Sequence, residues 1–203
     1  VHRSQFFRTF ACTKQNRQAQ NISGAETIKE EMKEEPTEIP IEETSYSKYE
    51  YSKFGTIRLY HSKTGEVEEL PIDEYLYGVV SGEMPVSYDI EALKAQAVVA
   101  RTYTIYQITH SQGKHNNADI CDNFACCQAW LSKDDRLAKW SEEERDANWQ
   151  KIVNAVDSTQ GKVITYNGEV IDAFFHSNSG GIIETASNVW GGQNFPYLKS
   201  VET

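Results

Sequence analysis

Four groups of residues in this 203-residue chain have the types and spacing to do chemistry. The first centres on Glu83, within Val79-Val80-Ser81-Gly82-Glu83-Met84-Pro85. Gly82 and Pro85 predict a helix-breaking corner, and the apolar neighbours would strip solvent from the carboxyl. A desolvated carboxyl keeps its proton to higher pH, which suits it to act as a general acid near neutrality. The same short pattern also fits a solvated loop carboxylate.

The second group is His115, Cys121, Cys126 and Cys127. Imidazole and thiolate are the donors that Zn²⁺ prefers, commonly in a tetrahedron. His115 and Cys121 are six positions apart, as are Cys121 and Cys127. This is not the paired CxxC spacing of a zinc ribbon. A disulfide from Cys121 to Cys126 or Cys127, or plain buried thiols, would use the same residues. Adjacent Cys126 and Cys127 are expected to point in different directions, so the two should not share an ion. Cys12 sits in a polar stretch with no partner in view.

The third group is polar. His176-Ser177-Asn178-Ser179-Gly180-Gly181 offers hydroxyls, an amide, an imidazole and glycines that allow close approach, a combination suited to a hydroxyl-rich ligand such as a sugar. The alternative is a polar loop following an edge strand. A Ser nucleophile is not favoured, because no Ser here stands in a Gly-x-Ser-x-Gly elbow. The fourth group, Gln96 and Arg101, shares a predicted helix with Val98, Val99, Ala100 and Tyr103. A buried Arg needs a carboxylate partner; it could orient Glu83, bind substrate or form a structural ion pair. Neither a phosphate loop nor a dinucleotide fingerprint occurs.

The elements that must position these residues begin after a charge-segregated arm. Residues 1–25 carry a net +4 and residues 26–50 a net −6, with Pro36 and Pro40 among nine Glu. Such a stretch buries too little apolar surface to offset its ordering entropy, so residues 1–50 read as a disordered arm or linker. The remainder, 51–203, reads as one α+β domain of hairpins and separated helices. Thr56–Tyr60 and Val67–Leu70 flank a turn signal and predict a hairpin. Pro71 opens a helix with Asp73 and Glu74 in its first turn. A longer helix, capped by Ser87 or Asp89, aligns Ile90, Leu93, Ala97, Ala100, Thr104 and Ile108 on one face. Ser141 and Glu144 suggest a capping box opening a helix that stops near Gly161. Lys162–Tyr166 and Glu169–Phe175 flank Asn167-Gly168, the signature of a type I′ hairpin.

Composition sets outer limits. Hydrophobic residues are 39% and aromatics 11% of the chain, enough for a core. No run approaches the ~20 apolar residues of a membrane-spanning helix. The net charge of −10 argues against a broad nucleic-acid surface, so no nucleic-acid partner is expected.

Taken together, several stretches resemble the SpoIID/LytB family. They are Ile72–Pro85, Glu91–Tyr103, Cys121-Asp122 to Cys127-Gln128, Phe175–Gly181, and Val189-Trp190-Gly191 with Pro196-Tyr197-Leu198, and they keep the family's order. The resemblance implies a lytic transglycosylase that cleaves denuded peptidoglycan glycan strands between N-acetylmuramic acid and N-acetylglucosamine during sporulation. It implies Glu83 as catalytic acid; from their own chemistry Gln96, Arg101, His176, Ser177 and Ser179 are expected to bind substrate. It also implies zinc, structural or loop-organising, on His115, Cys121 and Cys127, with the fourth ligand left open between a Tyr, water and His176. The implied partners are the glycan strands, a sporulation amidase and membrane engulfment proteins. The implied setting is extracytoplasmic, at the mother-cell membrane of a spore former. The family's membrane anchor is expected to be missing from this chain, and the domain to be cut short at Thr203. A non-catalytic glycan-binding module or amidase enhancer is the runner-up; a scaffold for wall enzymes is the third reading.

Overall fold

The computed structural model describes residues 55–110, 114–115, 117–192 and 194–202. The arm over 1–50 and Cys12 lie outside the described residues. The described elements combine helices with small sheets in an α+β arrangement. They are β1 (Thr56–Tyr60), β2 (Val67–Pro71), α1 (Ile72–Glu83), α2 (Ile90–His110), β3 (Ile120–Cys121), α3 (Lys133–Leu137), α4 (Arg145–Asp157), β4 (Thr165–Tyr166), β5 (Glu169–Val170), β6 (Ile182–Ile183), α5 (Ala186–Trp190) and β7 (Val201–Glu202).

β1 and β2 form the expected antiparallel hairpin, with Thr56 opposite Pro71 and Tyr60 opposite Val67. Pro71 is tolerated because β2 is an edge strand. β3 joins β1 on its other side in parallel, pairing Leu59 with Ile120 and Tyr60 with Cys121. Alternation along β1 turns Ile57 and Leu59 inward, where they meet Ile120 and the helices.

α1, α2 and α4 build the other layer. α1 buries Ile72, Tyr75, Leu76, Val79 and Val80, with Asp73 and Glu74 at the positive end of its dipole. Asp89 caps α2, its Oδ1 accepting from the Glu91 amide at 2.9 Å. α2 is more enclosed than one apolar face would require. Leu93, Ala97, Ala100 and Thr104 are buried as expected, and so are Gln96, Arg101, Thr102 and Gln107. α4 closes the core with Ile152, Ala155 and Val156.

Two local expectations are corrected, and one short helix goes unforeseen. The chain does not turn before Glu83, which is the last residue of α1; extended backbone at Met84 ends the helix. The Ser141 hydroxyl bonds the Glu144 carboxylate at 2.8 Å instead of a backbone amide, and α4 starts only at Arg145. The short α3 escapes sequence periodicity but has a sound cap, Ser132 accepting from the Asp135 amide at 3.1 Å. Asn167 and Gly168 do adopt positive φ values of 52° and 82°, although the strands they join are two residues each. No helix among the described residues is long and apolar enough to cross a membrane.

Candidate functional site

Glu83 is positioned by its helix and by an extended segment that crosses it. Gly78 and Gly82 lie one helical turn apart, and residues 129–131 run over them. A Cβ at Gly82 would stand 3.2 Å from the Ala129 carbonyl oxygen. One at Gly78 would overlap the Trp130 indole nitrogen and come within 2.7 Å of the Leu131 carbonyl oxygen. At Gly78 only glycine permits this approach, and at Gly82 a Cβ would make the segment give by a few tenths of an ångström. The consequence of the approach is that the Ala129 amide donates to Oε1 of Glu83 at 2.6 Å. The carboxyl is partly buried, and burial pushes its pKa above the ordinary value, opposed by the Ala129 hydrogen bond. A carboxyl whose pKa burial raises is suited to serve as a general acid.

Gln128 anchors that segment from beneath. Its fully buried Nε2 donates to the Tyr75 hydroxyl on α1 at 3.3 Å and to Thr104 Oγ1 on α2 at 3.1 Å. On the outer side, Trp130, Leu131 and Ser132 help line a cleft of about 680 Å³ with His61, Asp122 and Phe124. That size is within the ~300–1,000 Å³ of small-ligand sites. The Phe124 ring is 63% exposed. His61 sits edge-on to Trp130 at 5.4 Å and bonds Glu68 at 2.9 Å. Burial alone would raise the Asp122 carboxyl, but hydrogen bonds from Ser62 and the nearby His61 hold it below its usual range. Planar polar groups beside exposed aromatic rings are able to bind a saccharide by hydrogen bonding and stacking.

Immediately before Gln128 comes the cysteine loop. β3 delivers Cys121 at its end. The Asn123 carbonyl then accepts from the amides of both Cys126 and Cys127, at 2.9 and 2.8 Å. This turn overturns the expectation that the adjacent thiols point apart. Cys126 Sγ lies 4.0 Å from Cys127 Sγ and 3.9 Å from His115 Nε2, which is itself 3.3 Å from Cys127 Sγ. All four donor atoms, including Cys121, are within 4.8 Å of one another and could hold a metal ion. The three cysteines are free thiols, so the disulfide alternative does not apply. A hydrogen bond between Cys121 and Cys127 pushes the Cys121 thiol up and draws Cys127 below its ordinary value. Burial lowers the His115 pKa, which favours the neutral, ligating imidazole. The donor set therefore fits a thiophilic cation.

The remaining expected site residues fall in different surroundings. Arg101 is 0% exposed. Its guanidinium donates to the carbonyls of Thr159 at 2.9 Å and Val156 at 3.2 Å, and pairs with Asp73 at 3.3 Å. It ties the end of α4 to α1, the structural alternative among its expected roles. Gln96 is 7% exposed, and its Nε2 has no hydrogen-bond partner among the described residues. His176 and Ser177 are exposed, and no hydrogen bond or ion pair among the described residues links them to Glu83. In the same loop, Asn178 and Ser179 accept from the Gly180 and Gly181 amides at 2.8 and 3.2 Å. Sequence reasoning missed the Ala129 amide, the Gln128 anchor and the His61–Trp130 cleft. The one available signal was the Gly78–Gly82 spacing, which marks a close approach without saying what approaches.

Comparison with known proteins gives a consistent match. The profile of the family described as SpoIID, stage II sporulation protein, matches residues 60–166. A stage II sporulation protein D of Bacillus amyloliquefaciens is 36% identical over 180 residues, 88% of this chain and 48% of the relative. One from Bacillus subtilis (strain 168) is 38% identical over 149 residues, 73% of this chain and 43% of the relative. An amidase enhancer of the same strain is 34% identical over 123 residues, 61% of this chain and 14% of that relative. The chain spans just under half the length of the two sporulation proteins it matches.

Proposed function

We propose that this chain, which belongs to the SpoIID family of stage II sporulation proteins, serves sporulation as a lytic transglycosylase of denuded peptidoglycan glycan. The observation that carries this reading is the partly buried Glu83 carboxyl, raised in pKa and held by a single backbone amide. Glycosidases commonly use two carboxylates, because one must activate water. A lytic reaction consumes no water, so one group suffices. Glu83 donates its proton to the bridging oxygen as the bond between C1 of N-acetylmuramic acid and O4 of N-acetylglucosamine breaks. The muramic 6-hydroxyl oxygen then bonds to C1 and its proton passes to Glu83. The carboxyl is regenerated and the product is a 1,6-anhydro end.

The strand would extend from Glu83 into the cleft beside Trp130, which Glu83 itself does not line, with Gln96 supplying a buried amide donor and His176, Ser177 and Ser179 contacting sugar from their loop. A zinc ion on the cysteine loop would supply loop bracing, since soft thiolate and imidazole donors select it; His115, Cys121 and Cys127 would hold it. The implied partners are the glycan, an amidase that strips stem peptides beforehand, and membrane proteins of engulfment, in an extracytoplasmic setting.

The test is digestion of denuded glycan followed by borohydride reduction and mass spectrometry. Ends that resist reduction, and are therefore lighter than the reduced hydrolytic ends by one water and two hydrogens, are expected. Saturable binding without cleavage would favour a second reading, an amidase enhancer, which the named relative from Bacillus subtilis supports.

A further inference from the structure

We propose that Cys126 is the fourth protein ligand of the metal site, closing it as a Cys₃His centre with no position left for solvent or substrate. This rests on reading the cysteine loop as a zinc site and goes beyond the three-residue set given above. It is independent of the glycan chemistry.

The distances carry it. With Zn–S near 2.3 Å and Zn–N near 2.0–2.1 Å, a tetrahedron has S···S edges of about 3.8 Å and N···S edges of about 3.6 Å. The edges at Cys126 are 4.0 Å to Cys127 and 3.9 Å to His115, and the third, between His115 and Cys127, is 3.3 Å. Cys121 completes the figure within the same 4.8 Å limit. Cys126 thus occupies a vertex already at near-ligating separation from two other donors.

The backbone explains how neighbours in sequence reach one ion. In an extended strand, consecutive side chains point to opposite faces. The Asn123 turn is helical in its bonding, since one carbonyl receives the amides three and four residues on. Consecutive side chains then diverge by about 100°, the angle of a 3.6-residue turn, which two corners of a tetrahedron can accept. The Asn123 side chain secures the turn by accepting from the Ala125 amide at 2.9 Å, and Lys114 Nζ bonds the Cys126 carbonyl at 2.9 Å. A four-ligand protein set is the structural type of zinc site, whereas catalytic sites keep one position open. Its effect is mechanical: Cys127 precedes Gln128 and Ala129, so the ion fixes the start of the segment whose amide grips Glu83.

Zinc X-ray absorption on the full chain, purified from zinc-supplemented cells, counts the sulfur neighbours directly. The expected result is one zinc per chain with three sulfurs and one nitrogen. Cys126→Ser should read two sulfurs, and its zinc affinity in chelator competition should fall by roughly 10-fold or more, the loss that even an outer-shell partner causes. Cys126→His keeps a ligand and should hold zinc with two sulfurs and two nitrogens, so a fold lost in the serine variant does not decide the outcome. Cys12→Ser should leave the count at three. Stoichiometric zinc with two sulfurs in the unsubstituted chain overturns the Cys126 assignment while sparing the metal site. A chain that binds no stoichiometric zinc overturns both.

Discussion

The amide of Ala129 reaches Oε1 of Glu83 across 2.6 Å, although the two residues are 46 positions apart. This contact and burial act on the carboxyl in opposite senses. Burial, the larger effect, raises its pKa; the hydrogen bond lowers it. The group is left above the ordinary carboxyl value and fixed in direction.

That balance predicts two pH dependences. Cleavage should decline as pH rises through the raised pKa, because the proton donor is lost. Stability should move the same way. A carboxyl whose folded pKa exceeds its unfolded value contributes stability that is complete below the unfolded pKa and lost as pH rises through the folded one. Glu83→Gln keeps the acceptor for Ala129 but cannot ionise. Its melting temperature should therefore match the parent in acid and exceed it at neutral and alkaline pH. Equal melting curves across that range would mean the Glu83 carboxyl is not destabilised by burial.

The two glycines of α1 should separate packing from acid positioning. Gly78→Ala forces its Cβ into the Trp130 indole, so it should destabilise by about 1–3 kcal/mol despite better helix propensity. Gly82→Ala meets Ala129 at 3.2 Å. It should change stability little, since a helix gain of roughly 1 kcal/mol offsets the push. Displacing Ala129 should instead lower kcat and move the decline of activity with rising pH to higher pH, since the bond that lowers the Glu83 pKa is weakened. Thermal denaturation and pH–rate profiles measure the two effects.

Arg101 should behave as a tie and not as a substrate ligand. Arg101→Met would strand buried carbonyls of Val156 and Thr159 and leave Asp73 unpaired by it. The expected loss is about 3–5 kcal/mol in denaturant unfolding, the cost of breaking a buried pair. A raised KM with unchanged unfolding would return Arg101 to the substrate site.

Phe124 should show the reverse. Its side chain is largely exposed, so Phe124→Ala should cost far less stability than a core truncation, about 1 kcal/mol or less. Loss of stacking worth about 0.5–1.5 kcal/mol should raise KM for glycan several-fold with kcat preserved. An unchanged KM would remove the cleft from the binding path.

Local patterns in the chain carried much of this. Alternation in Thr56–Tyr60, the acidic start of α1, the Asp89 cap and Asn167-Gly168 each depend on residues close in sequence, and each appears where its chemistry places it. The site was legible only as residue types. Glu83 drew notice through its neighbours, but the group that holds it is a backbone amide, and every residue other than proline has one. Cys126 and Cys127 converge because the Asn123 carbonyl imposes a helical turn, which no residue type in the loop announces. The role of Arg101 stayed open between substrate and a structural pair because the carbonyls at the end of α4 that absorb its donors are more than fifty residues away.

The most direct measurement compares the parent chain and Glu83→Gln on denuded glycan, with circular dichroism showing both folded. The account predicts non-reducible anhydro ends from the parent and at least a ~10²-fold lower rate from the variant, the low end of what a positioned acid–base group supplies. Equal rates of anhydro-end formation would contradict it.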